Sequence, residues 1–187
     1  MSNLSRYLFS LSILASKDVG KKMLRRFLPN TSQRRTAHTI GVEFFIKDIE
    51  IAGKSIRLTI HLYFYEEEDL PDIKHSLIRS AANNQGVLLL YDITNLKSLT
   101  ILSEWYKLLK KNVERDIPFF LVGNKKDLEE HREVSKEHIE KFKEKCDITT
   151  SMEISLKTGE NVEEMFVGIT RLIITILHPD LIQELNE

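Results

Sequence analysis

The sequence predicts an α/β fold: a mostly parallel, doubly wound sheet with one antiparallel edge strand and helices on both faces. Three observations carry that prediction. Short apolar runs of strand length alternate with longer segments whose apolar residues recur at helical spacing. Two strand-like runs, Val42 to Ile51 and Ser55 to Phe64, are separated only by Ala52-Gly53-Lys54, which makes an antiparallel hairpin. Gly86 to Tyr91 (GVLLLY) and Pro118 to Val122 (PFFLV) are continuous apolar runs, the pattern of strands buried on both faces.

The elements follow in order. Tyr7 to Ala15 is an apolar run of strand length, ended by polar Ser16-Lys17-Asp18. Val19 to Leu24 leads into a helix that stops before Pro29. Asn30 to His38 is polar and basic and reads as an exposed loop, and after the hairpin Ile73 to Asn83 reads as a helix. Leu99, Leu102, Tyr106, Leu109 and Val113 mark a long amphipathic helix. The proline of the PFFLV run is tolerated at a strand's first position. Ser135 is an N-cap for a charged helix ending near Cys146, and Ile148 to Ile154 is a short strand. Val162, Met165, Phe166, Ile169, Leu172, Ile173 and Ile176 form the stripe of what reads as the last helix.

Composition narrows the function classes. At 187 residues and 42% apolar, the chain suits one domain with a conventional core, about residues 7 to 177. Lys plus Arg total 27 against 28 for Asp plus Glu, so no global field favours nucleic acid or an anionic membrane. The single cysteine, Cys146, forms no intrachain disulfide and fits a reducing compartment. The N-terminus lacks a signal-peptide pattern and no 18-residue apolar stretch exists, so a cytoplasmic protein is expected. The six histidines show no metal-ligand spacing, and no nucleophile-elbow pattern presents a serine. Neither a catalytic residue nor a metal ligand is assigned.

In parallel doubly wound sheets ligands sit at the carboxyl ends of the strands. After the first strand comes Ala15-Ser-Lys-Asp18-Val19-Gly20-Lys21-Lys22, which meets the phosphate-loop pattern G-x-x-x-x-G-K-[S/T] only at Gly20 and Lys21. In that pattern the amides wrap phosphate oxygens, the lysine neutralises β and γ charge, and the hydroxyl holds Mg²⁺. Here Ala15 replaces the opening glycine and Lys22 the hydroxyl. Taken alone, a helix start with solvated lysines explains these residues equally well.

Directly after the PFFLVG strand stands Asn124-Lys125-Lys126-Asp127, and after the next strand Ser155-Leu156-Lys157. They resemble the N-K-x-D and S-A-K elements of G domains. Thr39 to Phe44 (TIGVEF), Leu89 to Thr94 (LLYDIT), Leu121 to Leu128 (LVGNKKDL) and Glu153 to Glu164 also resemble the Rab branch of the Ras superfamily, over roughly residues 7 to 177. The resemblance implies a Ras-like G domain with a six-stranded sheet and a site for GTP or GDP. It implies that Asp127 accepts hydrogen bonds from the guanine N1–H and N2–H₂ edge. Asn124 would brace the loop, the Lys125 stem would cover the base, and the amide in the Ser155-Leu156-Lys157 element would meet O6. Asp18 to Lys22 would face the phosphates, and Thr39 is the family's switch threonine. Partners implied are effector or complex-subunit proteins at the switch surface, in vesicle trafficking or signalling.

The departures from the family are as informative. Where relatives carry D-T-A-G-Q, this chain has Leu62-Tyr63-Phe64-Tyr65-Glu66. Leucine binds no cation, Tyr65 lacks the backbone freedom of glycine, and the charge of Glu66 repels phosphate. Two magnesium contacts are therefore missing together, at Lys22 and Leu62, and bound Mg²⁺ is doubtful. Lys22 either puts an ammonium where the ion would sit or points to solvent. Lys17 sits where relatives have a small residue, and Asn30 to His38 lacks the aromatic that stacks on guanine. Leu62 to Tyr65 is either an exposed apolar docking face or a continuation of the third strand into the core. Arg25-Arg26 and Arg34-Arg35 are the one basic concentration, solvated surface or a site for an acidic partner. The sequence closes at Glu187 without the prenylated cysteines of Rab-like tails. That leaves a shortened tail or a protein brought to membranes by its partners. Three functions stay open: a guanine-nucleotide binder with impaired hydrolysis, a nucleotide-free scaffold, and a GTPase with a rebuilt site.

Overall fold

The computed structural model describes residues 7–28, 42–65 and 71–186. The chain runs β1 (Tyr7–Ser16), a 3-10 turn (Lys17–Val19), α1 (Lys21–Phe27), β2 (Val42–Ile51), β3 (Lys54–Tyr65), α2 (Pro71–Ala82) and β4 (Gly86–Asp92). It continues α3 (Leu96–Asn112), β5 (Phe119–Asn124), a 3-10 segment (Lys126–His131), α4 (Lys136–Cys146), β6 (Thr150–Glu153), α5 (Val162–Leu177) and α6 (Pro179–Asn186). The strands form one sheet in the order β2-β3-β1-β4-β5-β6. β2 runs antiparallel to β3, and the other pairings are parallel. The predicted α/β class, with five parallel strands and one antiparallel edge, is what forms.

The hairpin turn rests on backbone geometry. Ala52 and Gly53 both have positive φ, 49° and 72°, the two-residue turn whose twist matches that of its strands. A Cβ on Gly53 would meet nothing within 4 Å, so the glycine serves conformation there and not packing.

Period-2 alternation sends side chains to two cores. Leu11, Ile13 and Ala15 of β1, with Leu88 and Leu90 of β4, join α1 and α5 on one face. Leu14, with Val87, Leu89 and Tyr91, joins α2, α3 and α4 on the other. On the first face Lys47 of β2 is nearly buried. Its ammonium is 2.8 Å from Glu163 Oε1 and 5.0 Å from the Phe166 ring centroid, tying the edge strand to α5. Ser135 does cap α4: its hydroxyl accepts from the His138 amide at 3.2 Å, and its own amide donates to His138 Nδ1 at 3.2 Å.

Two expectations need correction. The strand expected over Ile148 to Ile154 spans only Thr150–Glu153. The helix expected to be last is followed by α6, opened by Pro179 at a position where a missing N–H costs nothing. An eight-residue helix is too short to be stable alone, and Leu181, 8% exposed, supplies the tertiary anchor.

Leu11 is fully buried on the central strand, while Leu8 on the same strand is 61% exposed. Leu11→Ala is expected to cost about 2–5 kcal/mol and Leu8→Ala less than about 0.5 kcal/mol, read as shifts of the urea midpoint at unchanged slope.

Candidate functional site

Because β1, β4, β5 and β6 are parallel, their carboxyl ends open onto the same edge of the sheet. One residue stitches the loops together there. Asn124, the last residue of β5, is 2% exposed. Its Nδ2 donates to the Val19 carbonyl at 2.6 Å, and its Oδ1 accepts from the Leu156 amide at 2.9 Å. Loops sequentially far apart are thus held by the two ends of one amide. Gly20 lets them approach: its φ is 114°, and a Cβ would stand 3.0 Å from Asn124 Nδ2 and 3.3 Å from Leu156 Cδ1. The positive φ favours glycine, and a Cβ would also press tightly on both neighbours.

Lys125 takes a left-handed conformation, φ 71°, and its ammonium pairs with Asp92 Oδ2. Asp92 closes β4 with a side chain only 5% exposed, and its Oδ1 accepts from the Thr94 amide at 2.9 Å and hydroxyl at 2.7 Å. Sequence reading assigned Asp92 no role; its one local signal was its position at the carboxyl end of a buried strand. Asp127 follows on the 3-10 segment, with a side chain 13% exposed. The Ser155 hydroxyl donates to its Oδ1 at 2.5 Å, and the Lys157 ammonium is 3.6 Å from its Oδ2. That hydrogen bond first, and the lysine after it, hold the Asp127 carboxyl below the ordinary range, against the opposing effect of burial. It is ionised at neutral pH. Each carboxylate oxygen has two lone pairs, so both keep accepting capacity. Ser155 also accepts from the Thr158 amide at 3.1 Å, and Lys126 pairs with Glu160 across the two loops.

Asn124, Lys125, Asp127, Ser155 and Leu156 therefore come together with Val19 and Gly20, with Lys157 at the rim. The phosphate-loop end is built differently. Asp18 and Lys22 are exposed, and Val19 is buried. Lys21 opens α1, but its side chain lies outside what is described, as do Thr39, Glu66 and the loop Asn30 to His38. Ala15 and Ser16, where the phosphate-loop pattern begins, are still strand, paired with Phe64 and Tyr65 of β3. Leu62 is 0% exposed and belongs to the same apolar cluster as Val19, Leu24 and Phe64. At positions 22 and 62 an exposed ammonium and a buried methyl group offer Mg²⁺ nothing, so these residues do not fit the ion.

The docking face considered for Leu62 to Tyr65 is not available at its first three residues. Leu62, Tyr63 and Phe64 are all buried, and Tyr63 Oη is 2.8 Å from Ser80 Oγ. Among the described residues the large exposed aromatic is Phe44 on β2, 51% accessible and edge-on to His61 at 4.7 Å. Arg25 is paired with Glu43 of β2 and so is not a free basic contact.

Leu62→Asp, which writes the relatives' carboxylate back into this chain, is expected to destabilise it by about 3 kcal/mol or more without conferring Mg²⁺-dependent stability. Thermal melts with and without the ion check both parts. Asn124→Ala leaves the Val19 carbonyl and the Leu156 amide unpartnered in a buried place. It is expected to cost about 2–4 kcal/mol, with faster amide exchange at Leu156 as the local signature.

The family model described as "Ras family" matches residues 11–175. The Ras-related protein Rab-4 of Dictyostelium discoideum is 35% identical over 170 residues, covering 90% of this chain and 80% of that protein. Human Ras-related protein Rab-8B is 35% identical over 173 residues, covering 92% and 81%. Human Ras-related protein Rab-12 is 34% identical over 172 residues, covering 91% and 69%. With the sheet order and the Asn124–Asp127 and Ser155–Lys157 loops at its carboxyl edge, these matches settle the family: the chain belongs to the Ras superfamily as a Rab-like small GTPase.

Proposed function

We propose that this chain binds a guanine nucleotide, GTP or GDP, and hydrolyses GTP very slowly or not at all, acting in vesicle trafficking or signalling by engaging effector proteins. The observation that carries the reading is the Asp127 carboxylate, kept ionised beside Ser155 in a loop braced by Asn124. A fixed carboxylate accepts from two adjacent N–H groups, which guanine presents and adenine does not. The Leu156 amide already donates to Asn124 Oδ1, so discrimination falls mainly on Asp127. The Lys125 stem, drawn toward Asp92, supplies an apolar cover for the base. Asp18, Val19, Gly20, Lys21 and Lys22 would meet the phosphates, with Thr39 as the switch threonine.

Slow hydrolysis follows from electrostatics. Charge that develops on phosphoryl oxygens needs a preorganised cation and a positioned water. The family supplies them through residues replaced here by Lys22, buried Leu62 and Tyr65-Glu66. Effector binding would use the surface around exposed Phe44, which stands edge-on to half-buried His61 on the edge hairpin. Among the described residues no helix is long and apolar enough to cross a membrane, and recruitment by partners fits the balanced charge.

A second reading, a nucleotide-free scaffold, draws on the strand pairing that continues through Ser16 and Tyr65 where relatives open a phosphate loop. One experiment decides between them. The purified protein is denatured and any released nucleotide identified, then nucleotide-free protein is titrated with GDP, GTP and ATP, with Mg²⁺ and with chelator. GDP and GTP are expected to bind and ATP not. Chelation should change affinity less than about threefold, and Asp127→Ala should weaken GDP by roughly 10- to 100-fold or more. Absence of binding would favour the scaffold. Turnover at the rate of an ordinary small GTPase would overturn the slow-hydrolysis reading.

A further inference from the structure

Away from the Asn124–Asp127 loops, α3 and α4 part to leave a groove of about 300 Å³. That volume is at the lower end of small-molecule sites. Its walls are apolar: Leu96 and Leu99 from α3 and Phe142 from α4. Ser103 also lines it and is only 7% exposed, with its buried hydroxyl against the Cys146 thiol. The neighbouring Cys146 thiol, pushed up by burial, is a weak acceptor that leaves most of the hydroxyl's capacity unused. A buried hydroxyl whose neighbour is a thiol recovers little of its desolvation cost of about 1–3 kcal/mol.

The rim is basic. Lys107 on α3 and Lys145 on α4, both exposed, stand on either side of the groove. Lys141, one turn before Lys145, is 2.6 Å from Glu137 and partly neutralised. Glu104 is the one carboxylate among the residues that line the groove. His138 on the rim directs Nδ1 to the Ser135 amide as part of the α4 cap. Two exposed lysines above an apolar floor match a particular ligand chemistry.

We propose that the α3–α4 groove binds a small anionic amphiphile, a carboxylic acid with a compact apolar body. The body packs on Leu99 and Phe142, and the carboxylate lies between the Lys107 and Lys145 ammoniums. Neither cation is buried, so charge adds discrimination and salt sensitivity while burial of the apolar body supplies most of the affinity. This site is independent of guanine recognition, since none of its residues belongs to the base loops.

The test is an amide-resolved NMR titration of the whole chain with octanoate, using octanamide and octylammonium as uncharged and charge-reversed counterparts. Octanoate is expected to give saturable shifts at Leu99, Ser103 and Phe142, and to bind at least tenfold more tightly than either counterpart. Octanoate affinity should weaken on raising the salt concentration. Lys107→Glu combined with Lys145→Glu should weaken octanoate at least tenfold at an unchanged melting temperature. Ser103→Leu, which fills the groove, should abolish the shifts; if that variant fails to fold, the surface double variant still decides. Non-saturating shifts, equal binding of all three probes, or indifference to the lysine changes would overturn the proposal, including the case where this face is covered by a partner protein instead.

Discussion

The Asn124 side chain is the constraint on which the site depends. Its two polar ends face opposite ways, and each is used: the nitrogen on the Val19 carbonyl, the oxygen on the Leu156 amide. Because Asn124 is buried, neither bond competes with water, and losing one leaves a buried polar group unpaired. The position of the phosphate-loop turn relative to the base loops is thus set by one amide, and the space for it exists because Gly20 has no Cβ. Beneath the same loop Gly123 plays a related part. A Cβ there would be 2.7 Å from Tyr91 Oη, so β5 can pass the buried tyrosine only as glycine.

Around that brace the two halves of the site diverge. The half built from the Asn124–Asp127 and Ser155–Lys157 loops is polar and satisfied: Asp127 with Ser155 and Lys157, Lys125 with Asp92, Lys126 with Glu160. The phosphate half beside β3 is apolar, with Leu62, Phe64, Val19 and Leu24 in one cluster. A divalent cation at that place would lose its hydration without gaining oxygen ligands from positions 22 and 62. The strand pairing of Ala15-Ser16 with Phe64-Tyr65 lies beside this apolar cluster. Once the carboxylate and glycine of the relatives' pattern give way to leucine and aromatic residues, that segment has strand propensity and a core to enter. Lys22 stays in solvent, the lower-cost place for an ammonium.

Much of this was legible locally. Strand and helix alternation, the hairpin at Ala52-Gly53 and the Ser135 cap are short-range patterns, and they appear in the fold as residues near in sequence predict. The motif residues Asn124, Asp127 and Ser155 stand out by type and spacing. Asp92 does not, because its role comes from the Lys125 ammonium brought to it from the next strand. The α6 helix escaped because eight residues carry too little local signal, and its stability is borrowed from α5. The Leu62 to Phe64 segment was ambiguous because period alone does not say whether an aromatic run is core or surface.

The sequence by itself determined the α/β class, the order of its elements and the Asn124–Asp127 and Ser155–Lys157 motifs that resemble the family's, because periodicity and motifs are properties of neighbours along the chain. Only the tertiary structure decided that Leu62 and Phe64 enter the core, that Asp92 meets Lys125, and that a lysine-rimmed groove opens between α3 and α4. Those outcomes depend on burial and on contacts between residues distant in sequence, and no local pattern encodes them.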